Sequence, residues 1–192
     1  ILIGYCSIGH SFVRLWAGED YSDSFYIGLL LMIAVTVPAF QNVGLEIQKA
    51  KNMHKTRSIV YFLVALANIG LTIPMSQRWS GIGAAFATMI CMFIGTVIFM
   101  NIYYWKRVGL NIPQFWKSIA SILPGYFAPI LIGVLIWKFF QIDCYLDVLI
   151  AALVISGVFM LSVWMFSMND YERNLLRGPI KKVFNLLARR RR

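Results

Sequence analysis

The amino-acid sequence predicts an all-α fold: a polytopic bundle of membrane helices, with five complete transmembrane helices and one truncated helix. Its 192 residues are 59% apolar and only 14% charged, with a mean hydropathy of +0.70. A soluble domain carries about 25% charged residues, so this composition excludes an ordinary water-soluble globule. The charges also lie in clusters, and most of the apolar intervals between them reach the roughly 20 residues that a helix needs to cross the hydrocarbon. Since an open sheet edge in lipid would leave backbone groups unpaired, these spans are predicted to be helices.

The apolar intervals predict the helices in order. Residues 1–169 are expected to form the transmembrane bundle, with spans at about 1–13, 24–45, 58–77, 81–103, 118–137 and 146–167. Residues 170–192 are expected to form a basic amphipathic tail. Because the first interval is too short to cross a membrane and residue 1 is Ile, we expect the C-terminal part of a longer membrane protein, beginning inside a helix. An anchored or interfacial N-terminus is the alternative.

The basic residues predict the orientation of the bundle. All but three of the 18 Lys and Arg residues fall on one side of the predicted spans, and the exceptions are Arg14, Arg78 and Lys138. Loops rich in Lys and Arg stay in the cytoplasm, so the C-terminus is expected to be cytoplasmic. The net charge of +10 thereby follows from membrane topology, and no nucleic-acid partner is expected.

A few polar residues within or beside the spans are candidates for a substrate path, because polar groups in a bilayer usually face the bundle interior. They are Asn42, Glu46 and Lys49 on the second helix, Asn68 and Thr72 on the third, and Arg14 at the end of the first. Each has a simpler interpretation. Asn42, Asn68 and Thr72 fit interhelical hydrogen bonds. Glu46 and Lys49 fit solvation at the interface, and Arg14 fits a side chain that snorkels to the outer surface.

The fourth helix carries small residues at spacings of three and four, which predicts a face for close helix packing. Its members are Gly81, Ala84, Ala85, Thr88 and Gly95. Prolines inside the spans predict kinks, because each one removes a backbone donor. They are Pro38, Pro74, Pro124 and Pro129.

The tail has the pattern of a short amphipathic helix on an anionic membrane surface. Apolar residues recur at helical spacing after Pro179, surrounded by cations. The residues expected at the membrane surface are Lys181, Lys182, Arg189, Arg190, Arg191 and Arg192. Membrane lipids are therefore expected partners.

The sequence contains no phosphate-binding loop, no pair of carboxylates within a span and no metal-ligand motif. Catalysis would need such a group of residues, so we expect no enzyme, no catalytic residue and no bound metal. A coupling ion of unknown identity is the one small partner left open.

Several motifs together resemble the C-terminal half of bacterial oligosaccharide flippases. The stretches that carry the resemblance are RLWAGEDY (14–21), PAFQN (38–42), AKNMHKTR (50–57), Asn68, GIGAAFAT (81–88), MNDYERN (168–174) and RGPIK (177–181). These flippases are the Wzx-like polysaccharide biosynthesis proteins of the multidrug/oligosaccharidyl-lipid/polysaccharide exporter superfamily. The resemblance covers essentially the whole chain.

The resemblance implies a lobe of a two-lobe transporter in the bacterial inner membrane. Such a protein moves undecaprenyl-diphosphate-linked oligosaccharides across the membrane by alternating access, usually coupled to an ion gradient. Its expected partners are the lipid-linked oligosaccharide, the missing N-terminal lobe of the same chain, and a polysaccharide polymerase or glycosyltransferases. Two alternatives stay open: a multidrug-type exporter of the same superfamily, and a membrane scaffold that recruits biosynthetic enzymes.

Overall fold

A computed structural model describes residues 1–41, 46, 54–140, 142–168 and 171–173, and over these residues the chain is helical with no β-strand. The predicted all-α class is thus confirmed for this part of the chain. The helices are α1 (Leu2–Ala17), α2 (Ser24–Phe40), α3 (His54–Met92), α4 (Met100–Tyr103), α5 (Ile112–Ile122), α6 (Pro124–Phe139) and α7 (Tyr145–Ser162). Wider π-helical turns extend α3, α4 and α7 over Phe93–Phe99, Tyr104–Val108 and Val163–Ser167.

Three described helical runs are long and apolar enough to cross a membrane, which supports a membrane protein. They are Glu19–Phe40, Lys55–Val108 and Tyr145–Ser167; a fourth is reached if α5 and α6, bent by 47° from each other, count as one span. These three or four spans among the described residues are fewer than the five complete spans predicted from the sequence. The third and fourth predicted spans lie in one helical run, and the fifth is divided at Leu123 between α5 and α6.

The run Lys55–Val108 is folded back on itself. Its backbone leaves helical geometry at Trp79 (φ −128°, ψ 20°) and Ser80 (φ 49°, ψ −133°). Beyond this point the contacts pair early residues with late ones: Thr88 Oγ1 lies 3.3 Å from Asn68 Oδ1, and Gly95 lies against Val64. Residues 54–78 and 81–108 are therefore the two antiparallel arms of a helical hairpin, called the hairpin below.

The reversal at Trp79 and Ser80 is tight. Gly83 lies so close to the backbone carbonyl of Met75 that a Cβ atom at position 83 would overlap it. Ser80 also has a positive φ, a conformation that costs energy for any residue with a side chain. Close approach of the two arms thus begins within one turn of the reversal.

The bend between α5 and α6 follows from proline chemistry. Pro124 begins α6, and Pro129 within it has no backbone N–H to offer the carbonyl of Gly125, four residues earlier. The buried hydroxyl of Ser162 on α7 donates to that carbonyl at 2.7 Å. A neighbouring helix thereby satisfies the group that proline leaves free, as hydrocarbon requires.

Helix α1 lies at the centre of the bundle, where it packs against α2, α6 and α7. Glycines permit the close approach on both sides. The Tyr5 ring covers Gly28 of α2, and the Ser7 hydroxyl lies against Gly133 of α6. The hairpin packs on α2, so α1 joins a half containing α2 and the hairpin to a half containing α6 and α7.

The hairpin can be tested by a designed disulfide between Val64→Cys and Gly95→Cys in a chain whose native cysteines are replaced by alanine. A Cβ atom at position 95 would lie 3.5 Å from the Cβ of Val64, within the range of about 3.5–4.5 Å for disulfides. In a straight helix the two positions would lie about 45 Å apart. We expect oxidation in membranes to form this bond within one chain, measured by peptide mass spectrometry.

The matched control is Leu63→Cys with Ile94→Cys, which has the same separation along the chain but side chains on exposed faces. It should give little cross-linking. Equal yields for the two pairs would refute the antiparallel register.

Candidate functional site

A groove of about 490 Å³ lies between α2 and the hairpin. Apolar side chains form most of its wall, and three polar side chains are set among them. Its lining residues are Ile27, Leu31, Asn68, Ile69, Thr72, Ile73, Gly81, Ala84, Ala85 and Thr88. The volume lies within the range of about 300–1,000 Å³ of small-molecule sites.

Asn68, Thr72 and Thr88 form a hydrogen-bonded triad across the hairpin. Thr72 Oγ1 donates to Asn68 Oδ1 at 3.0 Å, and Thr88 Oγ1 lies 3.3 Å from the same oxygen. The Thr88 hydroxyl also lies 3.0 Å from the carbonyl oxygen of Ala84, so its one proton is shared between two acceptors. The Asn68 amide oxygen is thus occupied, whereas its Nδ2 donates no hydrogen bond to any residue in the described part of the chain.

Residue type and spacing predict two different roles for these three residues. Asn68 and Thr72 were predicted to line a substrate path, and Thr88 to belong to a packing face. In the structure, Asn68 and Thr72 line the groove together with four predicted packing residues: Gly81, Ala84, Ala85 and Thr88. The fifth, Gly95, lies further along the hairpin against Val64. The functional assignments remain predictions.

Arg14 lies away from the groove, at the end of α1. Its Nε is 3.7 Å from Glu19 Oε1, and its Nη2 is 3.6 Å from Asp143 Oδ1. The side chain is 37% exposed. Nearby, the Tyr145 hydroxyl donates to the carbonyl of Leu15 at 2.9 Å. Arg14 therefore links α1 to the loops before α2 and α7, and an anionic ligand would have to compete with two carboxylates.

The remaining predicted path residues are Asn42, Glu46 and Lys49, and of these the structure describes Glu46. Glu46 is helical and exposed. Asn42 and Lys49 lie outside the described residues, as do the predicted membrane-surface residues Lys181, Lys182 and Arg189 to Arg192.

A second set of polar contacts lies at the end of the hairpin remote from the reversal, and the sequence did not predict it. Gln41, only 6% exposed, donates from Nε2 to Asn101 Oδ1 at 3.0 Å. Arg57 donates to the hydroxyls of Tyr61 and Tyr104. Arg57 and Tyr61 are four residues apart, so their shared helix face was readable from spacing, but Tyr104 reaches them only through the register of the hairpin.

No group of three or more His, Cys, Asp or Glu side chains that could hold a metal occurs among the described residues. Comparison of the chain with protein-family models, curated proteins and solved structures gives no match.

The role of Arg14 can be separated from substrate binding by comparing Arg14→Gln, Asp143→Asn and the double variant, with Lys138→Gln as the control. Exposed ion pairs contribute only about 0–1 kcal/mol, so we expect Arg14→Gln to lower the melting temperature in detergent by a few degrees at most. The double variant should lower it by less than the sum of the single changes. Additive effects, or a loss of activity with Arg14→Gln and none with Asp143→Asn, would instead favour direct contact between Arg14 and an anionic substrate.

Proposed function

We propose that this chain is part of a bacterial inner-membrane transporter that flips undecaprenyl-diphosphate-linked oligosaccharides for surface polysaccharide biosynthesis. The proposal is supported by the resemblance to Wzx-like flippases along the chain, and by helices long and apolar enough to span a membrane. The observation that carries it is the groove between α2 and the hairpin, where the Asn68, Thr72 and Thr88 triad interrupts apolar walls.

The groove matches the chemistry of an amphipathic substrate. Sugar hydroxyls both donate and accept hydrogen bonds, and the Asn68 amide with its two threonine hydroxyls can do the same without carrying charge. The isoprenoid chain of the substrate is apolar, as are Ile27, Leu31, Ile69 and Ile73 on the walls. Neutral polar groups bind a sugar yet release it more readily than buried charges, as a transport path requires.

We further propose that the chain crosses the membrane five times between α2 and α7, with its C-terminus in the cytoplasm. Each arm of the hairpin exceeds the roughly 20 residues needed for one crossing, and α5 with α6 would make another. The reversal at Trp79 and Ser80 then lies on the outer side, and the basic residues Lys106 and Arg107 lie on the inner side, in agreement with the positive-inside rule.

The topology can be tested with single cysteines at Gln77 and Lys106, both exposed positions, in a chain without native cysteines. A membrane-impermeant maleimide should label Gln77→Cys in intact spheroplasts, because the reversal is outside. It should label Lys106→Cys only after permeabilisation. Labelling of both from the same side would contradict two separate crossings by the hairpin arms.

The transport role can be tested with the double variant Asn68→Leu and Thr88→Val, which removes the triad while keeping side-chain size. A net hydrogen bond is worth about 1 kcal/mol, so losing two should reduce export by about five- to thirtyfold. The measurement is surface polysaccharide in a deletion strain complemented with the full-length gene, normalised to protein level.

The matched control is Thr36→Val, since Thr36 lies on α2, outside the groove lining, and donates to the carbonyl of Met32 within its own helix. It should leave export unchanged. Normal export by the double variant, or an equal loss with the control, would remove the groove as the substrate path.

A further inference from the structure

A positively charged cluster outside the groove lies at the end of the hairpin remote from the reversal. Arg57 donates from Nη1 to Tyr104 Oη at 3.2 Å and from Nη2 to Tyr61 Oη at 2.8 Å. Its guanidinium carbon also lies 4.9 Å from the centre of the Tyr61 ring. Because Tyr104 is only 2% exposed, these contacts hold a half-buried cation against a buried phenol.

This cluster has more hydrogen-bond donors than acceptors. A guanidinium carries five N–H donors and no acceptor, and each tyrosine hydroxyl carries one donor. Arg57 occupies both phenol oxygens as acceptors, so both hydroxyl protons stay available. Among the residues that the structure describes, neither hydroxyl donates a hydrogen bond and Arg57 pairs with no carboxylate.

A tetrahedral oxyanion has the complementary chemistry, because it offers several acceptor oxygens and a negative charge. Hydrogen bonds from an arginine fork to phosphate are charge-assisted and stronger than neutral ones. A charge next to hydrocarbon is costly without a counter-charge, and a bound phosphate would provide one. The hydroxyl of Tyr61, which is half-buried, would add a hydrogen bond to the same anion, while the buried Tyr104 holds the guanidinium in position.

The position of the cluster indicates the source of that phosphate. Arg57 and Tyr104 lie near opposite ends of the apolar run Lys55–Val108, and in the proposed topology both ends lie at the depth of the lipid headgroups. Trp105 beside them is 60% exposed, as is typical of the aromatic belt at a membrane interface. Lys106 and Arg107 are also exposed there, and their charges favour a headgroup of net negative charge.

We propose that Arg57, Tyr61 and Tyr104 form a binding site for the phosphate of an anionic membrane lipid. The site is separate from the groove lined by Asn68 and Thr88, and it does not depend on transport. It holds a resident lipid at the seam between the two arms of the hairpin. The lipid neutralises Arg57 and thereby stabilises that end of the hairpin.

The experiment titrates the full-length protein in detergent with phosphatidylglycerol and counts bound lipid by native mass spectrometry. Arg57→Gln should weaken phosphatidylglycerol binding about tenfold or more, as expected for the loss of a hydrogen-bonded charge. The matched control is Arg78→Gln, an exposed arginine at the opposite end of the hairpin, and its affinity should be unchanged. Phosphatidylcholine, whose headgroup has no net charge, should bind more weakly and should not respond to Arg57→Gln.

Two further measurements test the site. Tyr61→Phe with Tyr104→Phe keeps both rings and removes only the hydroxyls, so it should fold and weaken binding several-fold; unchanged affinity in this variant would overturn the site even if Arg57→Gln failed to fold. sn-Glycerol 3-phosphate carries the phosphate without acyl chains and should bind far more weakly than the lipid. Equal binding of this soluble phosphate, or equal losses in Arg57→Gln and Arg78→Gln, would overturn the proposal of a lipid site.

Discussion

The helical run Lys55–Val108 is much longer than a membrane is thick. The remaining features depend on how the chain meets this constraint. As a straight helix, the 54 residues of the run would extend about 80 Å, whereas the hydrocarbon core is about 30 Å thick. The chain meets this constraint by reversing at Trp79 and Ser80, where two residues leave helical geometry. The reversal determines the register of the two arms, and the register decides which polar side chains meet.

That register places hydrogen-bonding groups at two levels of the hairpin. Near the reversal, Asn68 meets Thr88; at the remote end, Arg57 meets Tyr104. Apolar contacts lie between them, where Gly95 approaches Val64 and where Val60 and Met100 belong to one buried cluster. Each level therefore joins polar groups of one arm to polar groups of the other. The two levels differ in charge: the first is neutral and suits a sugar, and the second is cationic and suits a phosphate.

Periodicity and charge spacing predicted the helical class, the positions of the apolar segments and the shared helix face of Asn68 and Thr72. These features depend on residues close together in the chain, which a helix brings onto one face. The predicted spans 58–77 and 81–103 also place a break at 78–80, where the structure reverses. An interhelical hydrogen bond of Asn68 was one of the two interpretations from the sequence, but its partner Thr88 was not predicted, because the pairing needs the register of the arms. Asp143 was missed as a partner of Arg14 for the same reason, since it reaches Arg14 only through the packing of α1 against α6 and α7.

The groove lies between two walls that are tied to each other, and the α2 wall is also tied to the central helix. The α2 wall is anchored to the central helix, because Tyr5 of α1 covers Gly28, stacks on Phe25 and donates to the Phe25 carbonyl at 3.2 Å. Helix α1 is anchored in turn to α6, where Ser7 lies against Gly133. The hairpin is held to α2 at two levels: the terminal methyl of Ile27 lies against Gly81 beside the groove, and the buried Gln41 at the end of α2 donates to Asn101 at 3.0 Å. A change in groove width would therefore have to loosen the Ile27 contact or break the hydrogen bond from Gln41 to Asn101, and any such movement of the hairpin would carry the Arg57 cluster with it.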